Sequence, residues 1–212
     1  MGVSKKPEER KNEILDNAEM LFITKGYSKT TINDILTAVG IAKGTFYYYF
    51  KSKEEVMDAI VLRFIDIEMG AIKLISSDQS LNASEKIFKI IIRQSPESDK
   101  KEKMIEQFHQ IDNAEMHQKS LVQTILQLTP VLTDIVEQGI KEKVFKTEYP
   151  KEVVEFFLVS SQILFDDGIF QWKPSEIIQK SKALAHIMEI TLGAKSGTFD
   201  YIAKKYKQEI SE

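Results

Sequence analysis

The stretch from Thr30 to Lys53 constrains the fold of this 212-residue chain more than any other. Thr31 is suited to cap a helix, and Gly40 can adopt the left-handed conformation that ends one. Between them, apolar residues recur at helical spacing. These are Ile32, Ile35, Leu36 and Val39. A second short helix is predicted from Lys43 and Gly44 onwards. Two short helices joined by a tight glycine turn form a helix-turn-helix, whose second helix can enter the major groove of DNA.

This second helix carries five aromatic residues in a row, which cannot all face one core on a period of 3.6 residues. Phe46 and Phe50 lie four residues apart and share a face, so we predict that they pack in the core together with Tyr49. Tyr47 is predicted to point outward, where its hydroxyl can bind a phosphate. For Tyr48, a core position and a DNA-facing position both remain open.

The rest of the chain shows the pattern of further helices. Only 9 Gly and 5 Pro occur, which favours an all-α fold over a turn-rich β fold. Apolar spacing and caps predict one helix from Pro7 to Gly26, one from Ser52 to about Ile75 with Ile67 facing inward, and one that starts at Ser84. Further helices are predicted across Pro130, where a kink is expected, over 150–168 and over 174–193. The tail from Phe199 is predicted to be either a short helix or disordered.

Charge is distributed unevenly along the chain. Residues 1–53 hold nine Lys/Arg and six Asp/Glu, a net charge of +3, whereas residues 54–212 hold twenty and twenty-six, a net charge of −6. A basic head on an acidic body fits DNA binding by the head, although separate acidic and basic faces are common in proteins. Lys5 and Lys6 either reach phosphates or belong to an ordinary frayed terminus.

Several classes of function are excluded by what the sequence lacks. The chain has no cysteine, which excludes disulfides, thiol catalysis and cysteine-ligated metals. No catalytic or phosphate-loop motif appears, so we predict no enzyme activity and no cofactor. His109 and His117 could share a helix face and bind a metal, but polar surface histidines are commoner and no metal site is predicted. The polar start and short apolar runs lead us to expect a cytoplasmic protein without a membrane partner.

The two predicted helices over 150–168 and 174–193 are apolar on much of their circumference. A helix of this kind must be buried on several sides. Small residues, including Ser160, Ser161 and Ala185, would allow close approach of another helix. We therefore predict that the pair packs against the same pair of a second chain in a two-fold, four-helix interface. The alternative is a deep internal core in a monomer.

The run at residues 40–56 has the sequence Gly-Ile-Ala-Lys-Gly-Thr-Phe-Tyr-Tyr-Tyr-Phe-Lys-Ser-Lys-Glu-Glu-Val. With the preceding helix from Thr31, it resembles the DNA-binding segment of the TetR family of one-component transcriptional regulators. The resemblance implies a three-helix helix-turn-helix domain over 1–53 and a helical effector-binding and dimerisation domain over 54–212. It also implies a homodimer that binds a palindromic DNA operator, acts as a repressor and is released by a small-molecule effector.

The resemblance further implies roles for single residues, which fit their chemistry. Seven residues are predicted to contact DNA: Thr31, Lys43, Gly44, Thr45, Tyr47, Tyr48 and Lys53. Thr31, Tyr47 and Lys53 are expected to bind phosphates, and those at the start of the second helix are expected to contact base edges or the groove. Phosphate contacts position the protein, whereas groove contacts select the sequence.

The body is expected to hold the effector, whose identity the sequence does not give. Aromatic and methionine side chains would suit an apolar or planar cationic ligand, although each of them can also be plain core. The candidates are Phe64, Met104, Phe108, Met116, Ile125, Phe156, Phe165 and Trp172. A carboxylate such as Glu106 or Asp166 could select a cation. Two alternatives stay open: a DNA-binding adaptor whose body binds a protein, and a helical enzyme or carrier in which the helix-turn-helix is incidental.

Overall fold

Helices account for all the regular structure in the computed structural model, which describes residues 6–93 and 113–209. The helices in this part of the chain are α1 (Pro7–Lys25), α2 (Ile32–Val39), α3 (Lys43–Tyr49), α4 (Lys53–Ser77), α5 (Ala83–Arg93), α6 (Ala114–Lys141), α7 (Pro150–Leu164), α8 (Pro174–Leu192) and α9 (Tyr201–Glu209). The predicted all-α fold is confirmed. Within the same residues, no helix is both long enough and apolar enough to span a bilayer.

The described residues form two compact units. The first, here called the head, comprises residues 6–66 and 113–122, and the second, here called the body, comprises residues 67–93 and 123–209. Each of the helices α4 and α6 has its first part in the head and its remainder in the body. The domain boundary predicted after Lys53 stays a prediction.

Apolar side chains from four helices fill the core of the head. They are Ile14, Leu15, Ala18 and Phe22 of α1, Ile35 of α2, Phe46 of α3 and Val56, Met57 and Ile60 of α4. At its surface, Arg63 of α4 forms ion pairs with Asp16, at 2.7 Å, and with Glu19 of α1. Asn113, just before α6, is also buried in this unit. Its Oδ1 accepts a hydrogen bond from the N–H of Tyr27 in the turn after α1. The helix-turn-helix therefore packs in one unit with α1, the first part of α4 and the start of α6.

The core of the body is mainly aliphatic, with two stacked rings. Its buried residues include Ile90, Leu128, Ile135, Val136, Val154, Leu158, Leu184, Met188, Leu192 and Ile202. Phe145, in the loop after α6, stacks on Phe199 at 6.1 Å between ring centroids. One cation is buried in this unit: the Lys86 ammonium donates to the carbonyl of Ser76 and to Gln138 Oε1, at 2.6 and 2.8 Å.

Three details differ from the sequence-based expectations. The cap of α5 is Asn82 and not Ser84, because Asn82 Oδ1 accepts from the Glu85 N–H at 3.0 Å and Glu85 Oε2 accepts from the Asn82 N–H at 2.8 Å. The helix predicted over 150–168 ends at Leu164, where a turn held by Asp166 follows. Ile67 was wrongly predicted to face inward and is 70% exposed.

Candidate DNA-binding surface and body cavity

Local hydrogen bonds set the geometry of the turn between α2 and α3. Gly40 adopts the left-handed conformation, with φ of 72° and ψ of 38°. The N–H groups of Gly40 and Ile41 both donate to the carbonyl of Leu36, at 2.9 and 3.1 Å. A residue with a Cβ would be strained at this φ, which is why glycine suits the position. The chain then enters α3 at Lys43, after Ala42 in an extended conformation.

The aromatic residues of α3 divide between core and solvent. Phe46 and Phe50 are 0% and 2% exposed, whereas Tyr47 and Tyr48 are 45% and 78% exposed. Tyr49 is half-buried and packs edge-on against Tyr48, with ring centroids 4.9 Å apart. The core positions of Phe46 and Phe50 are confirmed, and the outward position of Tyr47 is confirmed as well. Tyr48, left open by the sequence, lies on the outside.

The accessible surface of α3 also carries polar groups. Lys43 and Gly44 are exposed and Thr45 is half-buried. The Lys43 ammonium lies 5.9 Å from the centroid of the Tyr47 ring. A Cβ built on Gly44 would meet no atom within 4 Å, so another molecule can approach the backbone there. This surface thus combines a cation, two phenols, a hydroxyl and an accessible backbone, all of which can bind phosphates or base edges.

Thr31 is held by a local network at the start of α2. Its hydroxyl donates to Asp34 Oδ2 at 2.7 Å and accepts from the Asp34 N–H at 3.2 Å. The Lys25 ammonium lies 2.6 Å from the same carboxylate oxygen. These hydrogen bonds from Lys25 and Thr31 hold the pKa of Asp34 well below its usual range. Because the Thr31 hydroxyl already donates to Asp34, a phosphate would have to compete for that proton or use the neighbouring backbone.

Lys53 lies at the start of α4 with its side chain directed to the turn after α1. Its ammonium donates to the carbonyls of Tyr27 and Thr30 at 2.7 and 2.9 Å. It also lies 4.1 Å from the centroid of the Tyr27 ring. Burial lowers the pKa of Lys53. Two of its three donors are therefore used within the head, a role that the sequence did not reveal.

A cavity of about 80 Å³ lies inside the body, lined by residues of α5 to α9. Its wall is largely aliphatic and includes Ile87, Ile90, Val136, Leu158, Leu184 and Met188. These aliphatic residues have the same helical spacing as ordinary core residues, so the sequence alone could not show which of them line a cavity.

Those predicted effector residues that the structure describes lie outside this cavity. Phe156 and Phe165 line a more open recess of about 220 Å³ on α7 and α8. Phe64 and the buried Met116 belong to the head, and Ile125 and Trp172 belong to the body, but none of these four lines either space. Met104, Glu106, Phe108 and His109 lie outside the described residues. Trp172 donates from Nε1 to the carbonyl of Leu164 at 2.8 Å and stacks on Phe170.

Two family models match separate parts of the chain. The model described as "Bacterial regulatory proteins, tetR family" matches residues 14–60, which include α2, α3 and the first part of α4. The model described as "Tetracyclin repressor-like, C-terminal domain" matches residues 97–187.

Individual relatives agree with these families. The HTH-type transcriptional repressor KstR2 of Rhodococcus jostii (strain RHA1) is 43% identical over 61 residues, which are 29% of this chain and 30% of the relative. The chain thus spans about three tenths of the length of the curated relatives that it matches. SmeT, the repressor of the Stenotrophomonas maltophilia multidrug efflux pump SmeDEF, has a similar fold, with a TM-score of 0.62, 21% identity and coverage of 89% of this chain and 92% of SmeT. The SmeT–triclosan complex gives a TM-score of 0.61, 21% identity and coverage of 90% and 94%.

Proposed function

This chain belongs to the TetR family of bacterial regulatory proteins, and we propose that it is a homodimeric transcriptional repressor that a small-molecule effector releases from a palindromic operator. The observation that carries the proposal is the two-sided character of α3. Phe46 is fully buried, whereas Lys43, Tyr47 and Tyr48 on the same short helix are exposed. A helix anchored in this way and polar on its outer side suits insertion into the major groove.

The proposed contacts divide by their chemistry. Lys43, Gly44, Thr45 and Tyr48 lie on the exposed start and middle of α3, and we assign them to the groove. A lysine ammonium suits O6 and N7 of guanine, and a threonine methyl suits the methyl of thymine. We assign Tyr47 to a phosphate. Thr31 and Lys53 are proposed as phosphate contacts that also stabilise the head, since both already form hydrogen bonds within it.

Exposed apolar side chains support the proposed dimer. On α7 and α8, Phe156 is 76% exposed, Ile187 is 54% exposed and Ile190 is 65% exposed. Exposing such residues to water is unfavourable by roughly 25 cal/mol per Å² of apolar surface. A complex in which a partner covers them is therefore stabilised. The partner that we propose is a second copy, packed through the same two helices. To bind two half-sites one turn of DNA apart, the two-fold dimer needs its two copies of α3 about 34 Å apart.

Release by an effector requires that the effector bind more tightly to the released state than to the DNA-competent state. We propose the body cavity as the effector site. Support comes from its largely aliphatic wall and from the similar fold of SmeT, which is known as a complex with triclosan.

A DNA-binding adaptor is the second candidate. The cavity of about 80 Å³ is well below the roughly 300–1,000 Å³ of typical ligand pockets. If the cavity does not open, the body would more readily bind a protein on its surface than a small molecule inside it.

Binding of the full-length protein to the DNA upstream of its own gene tests the DNA-binding proposal. Fluorescence anisotropy should give specific binding at moderate salt, and Tyr48→Ala should weaken it by about tenfold, as expected for the loss of one good contact. Tyr149→Ala is the matched control, because Tyr149 is also a largely exposed tyrosine, at 62%, but lies before α7. A dimeric protein that does not distinguish this DNA from unrelated DNA would contradict the proposal.

A further inference from the structure

The cavity of the body has one polar end. Among the described residues that line it, only Ser161, Lys205 and Tyr206 carry polar side-chain groups. The Tyr206 ring stacks on Phe165 with 4.6 Å between centroids and 22° between planes. The Lys205 ammonium lies 5.7 Å from the Tyr206 ring centroid. The Ser161 hydroxyl donates to the carbonyl of Leu158 in its own helix at 3.2 Å. Lys205 and Tyr206 of α9 therefore form the polar end of the cavity, next to Phe165 at the end of α7.

The opposite part of the wall is aliphatic. Ile87 and Ile90 of α5, Val136 of α6 and Leu184 and Met188 of α8 contribute to it. Aliphatic walls take flexible hydrocarbon chains, whereas planar cations are bound by aromatic faces and carboxylates. No Asp or Glu occurs among the described lining residues, and the one side chain among them that is charged at neutral pH is the cation Lys205. The positive charge of Lys205 thus disfavours the cationic ligands that the sequence left open.

We propose that this cavity binds a straight-chain aliphatic carboxylate, with the hydrocarbon chain among α5, α6 and α8 and the carboxylate at Lys205 and Tyr206. This rests on the proposed function, in which the body holds the effector, and it specifies the chemical class of that effector. The ammonium of Lys205 and the phenol of Tyr206 both donate hydrogen bonds, and charge-assisted hydrogen bonds to a carboxylate are stronger than neutral ones.

The ligand must enlarge the cavity in order to enter. A volume of about 80 Å³ corresponds to only two or three water molecules at roughly 30 Å³ each. The wall nearest the polar end is α9, a helix of nine residues that contributes Ile202, Lys205 and Tyr206. Since α9 supplies both the polar end and this wall, we assign to it the displacement that admits the chain.

Titration calorimetry with the full-length protein tests the proposal. The probes are octanoate, decanoate and dodecanoate below their micelle concentrations, with decanol and decyltrimethylammonium as tail-matched neutral and cationic controls. Decanoate should bind more tightly than both controls. Lys205→Gln should weaken the binding of decanoate by about tenfold and leave the affinity for decanol unchanged, because only the carboxylate interacts with the ammonium.

Lys204→Gln is the matched control, since Lys204 is exposed on the same helix and does not line the cavity. It should bind decanoate like the wild type. Both substitutions lie on a surface helix, and circular dichroism checks that the variants fold. Equal affinity for decanoate and decyltrimethylammonium, or equal losses in Lys205→Gln and Lys204→Gln, would overturn the proposal, as would the absence of binding by any of the three carboxylates.

A parallel measurement separates this inference from the proposed function. The anisotropy of labelled DNA from upstream of the gene is followed as decanoate is added. If decanoate binds in a Lys205-dependent manner but does not release the DNA, the site is correct and the effector-release part of the proposed function is wrong. If the protein binds the DNA specifically but no carboxylate binds the protein, the proposed DNA function stands and this inference fails.

Discussion

Asn113 and Tyr27 are 86 positions apart in the sequence, yet the Tyr27 N–H donates to Asn113 Oδ1 at 2.7 Å in the buried interior of the head. The carbonyl of Tyr27 accepts a hydrogen bond from the Lys53 ammonium at 2.7 Å. The backbone of Tyr27 is thus held from one side by the residue before α6 and from the other by the first residue of α4. This fixes the turn that leads from α1 into the helix-turn-helix.

Asn113→Ala should destabilise the head. It leaves the buried Tyr27 N–H without its acceptor, at a cost of about 1–3 kcal/mol in the free energy of unfolding. Urea unfolding followed by circular dichroism measures this. Asn17→Ala is the control, because Asn17 on α1 is only half-buried and donates to the carbonyl of Glu13 in its own helix. Equal effects of the two substitutions would show that the Asn113 contact contributes nothing special.

Lys53→Ala should affect stability as well as DNA binding. A residue that only binds a phosphate would change the affinity for DNA and leave the unfolding free energy unchanged. Because Lys53 also donates to the carbonyls of Tyr27 and Thr30, we expect a loss of about 1 kcal/mol in stability in the absence of DNA. Lys51→Ala, at an exposed position two residues earlier, should leave stability within about 0.5 kcal/mol of wild type. Thermal unfolding of both variants without DNA decides between the two roles.

Two helical glycines should respond to alanine with opposite signs. A Cβ on Gly139 in α6 would lie 2.6 Å from Cε2 of the buried Phe145, so Gly139→Ala should destabilise the body by about 1–3 kcal/mol. A Cβ on the exposed Gly70 in α4 would meet no atom within 4 Å. Gly70→Ala should therefore stabilise the protein by about 0.5–1 kcal/mol through helix propensity. A shift of the same sign in both unfolding curves would contradict the described packing.

Tyr201→Phe should leave stability unchanged or raise it. The Tyr201 hydroxyl is buried and has no hydrogen-bond partner among the described residues, while its ring packs edge-on against Phe88 at 4.8 Å. Phenylalanine keeps the ring contact and removes the unsatisfied hydroxyl, whose burial costs about 1–3 kcal/mol. Chemical denaturation gives the difference. A clear loss of stability would show that the hydroxyl has a partner, such as a bound water.

Stability should decline at alkaline pH because of Tyr27. Burial, followed by the negative charges of Glu115, Glu54 and Asp58, raises the pKa of Tyr27 to about 12. An unfolded tyrosine ionises near pH ~10. Between these values the folded state retains a proton that the unfolded state has lost, so the unfolding free energy falls as the pH rises.

Tyr27→Phe should make this part of the pH profile less steep. The difference between wild type and variant isolates the phenol from Lys53, whose lowered pKa has an effect of the opposite sign. Urea unfolding at successive pH values above about 9 measures it, since the linked change begins near the pKa of ~10 of an unfolded tyrosine. If the two proteins lose stability equally steeply, Tyr27 does not retain its proton as described.

Features encoded within a few neighbouring residues could be predicted from the sequence. Thr31 as a cap, Gly40 as a left-handed turn and Pro150 and Pro174 as helix starts follow from local preferences. The cap at Asn82 was also accessible, because Glu85 lies three residues after Asn82 and only one after Ser84.

Contacts between distant residues could not be predicted in this way. Nothing near Lys53 in the sequence indicates that it binds the carbonyl of Tyr27, and nothing near Asn113 indicates its contact with the same residue. The cavity is lined by residues from five helices, and its apolar residues have the spacing of ordinary core residues. The aromatic and methionine residues chosen from the sequence stay predictions for the effector contacts, and those of them that the structure describes do not line this cavity.

The division of α3 into a buried and an exposed side limits how its DNA preference can be redesigned or can evolve. Phe46 and Phe50 anchor the helix in the core, so variation there changes whether the head folds before it changes what the head binds. Lys43, Thr45 and Tyr48 are partly or fully accessible, and a combinatorial library confined to them would explore new operators without loss of the scaffold. A library spread over all seven residues of α3 would consist largely of misfolded members.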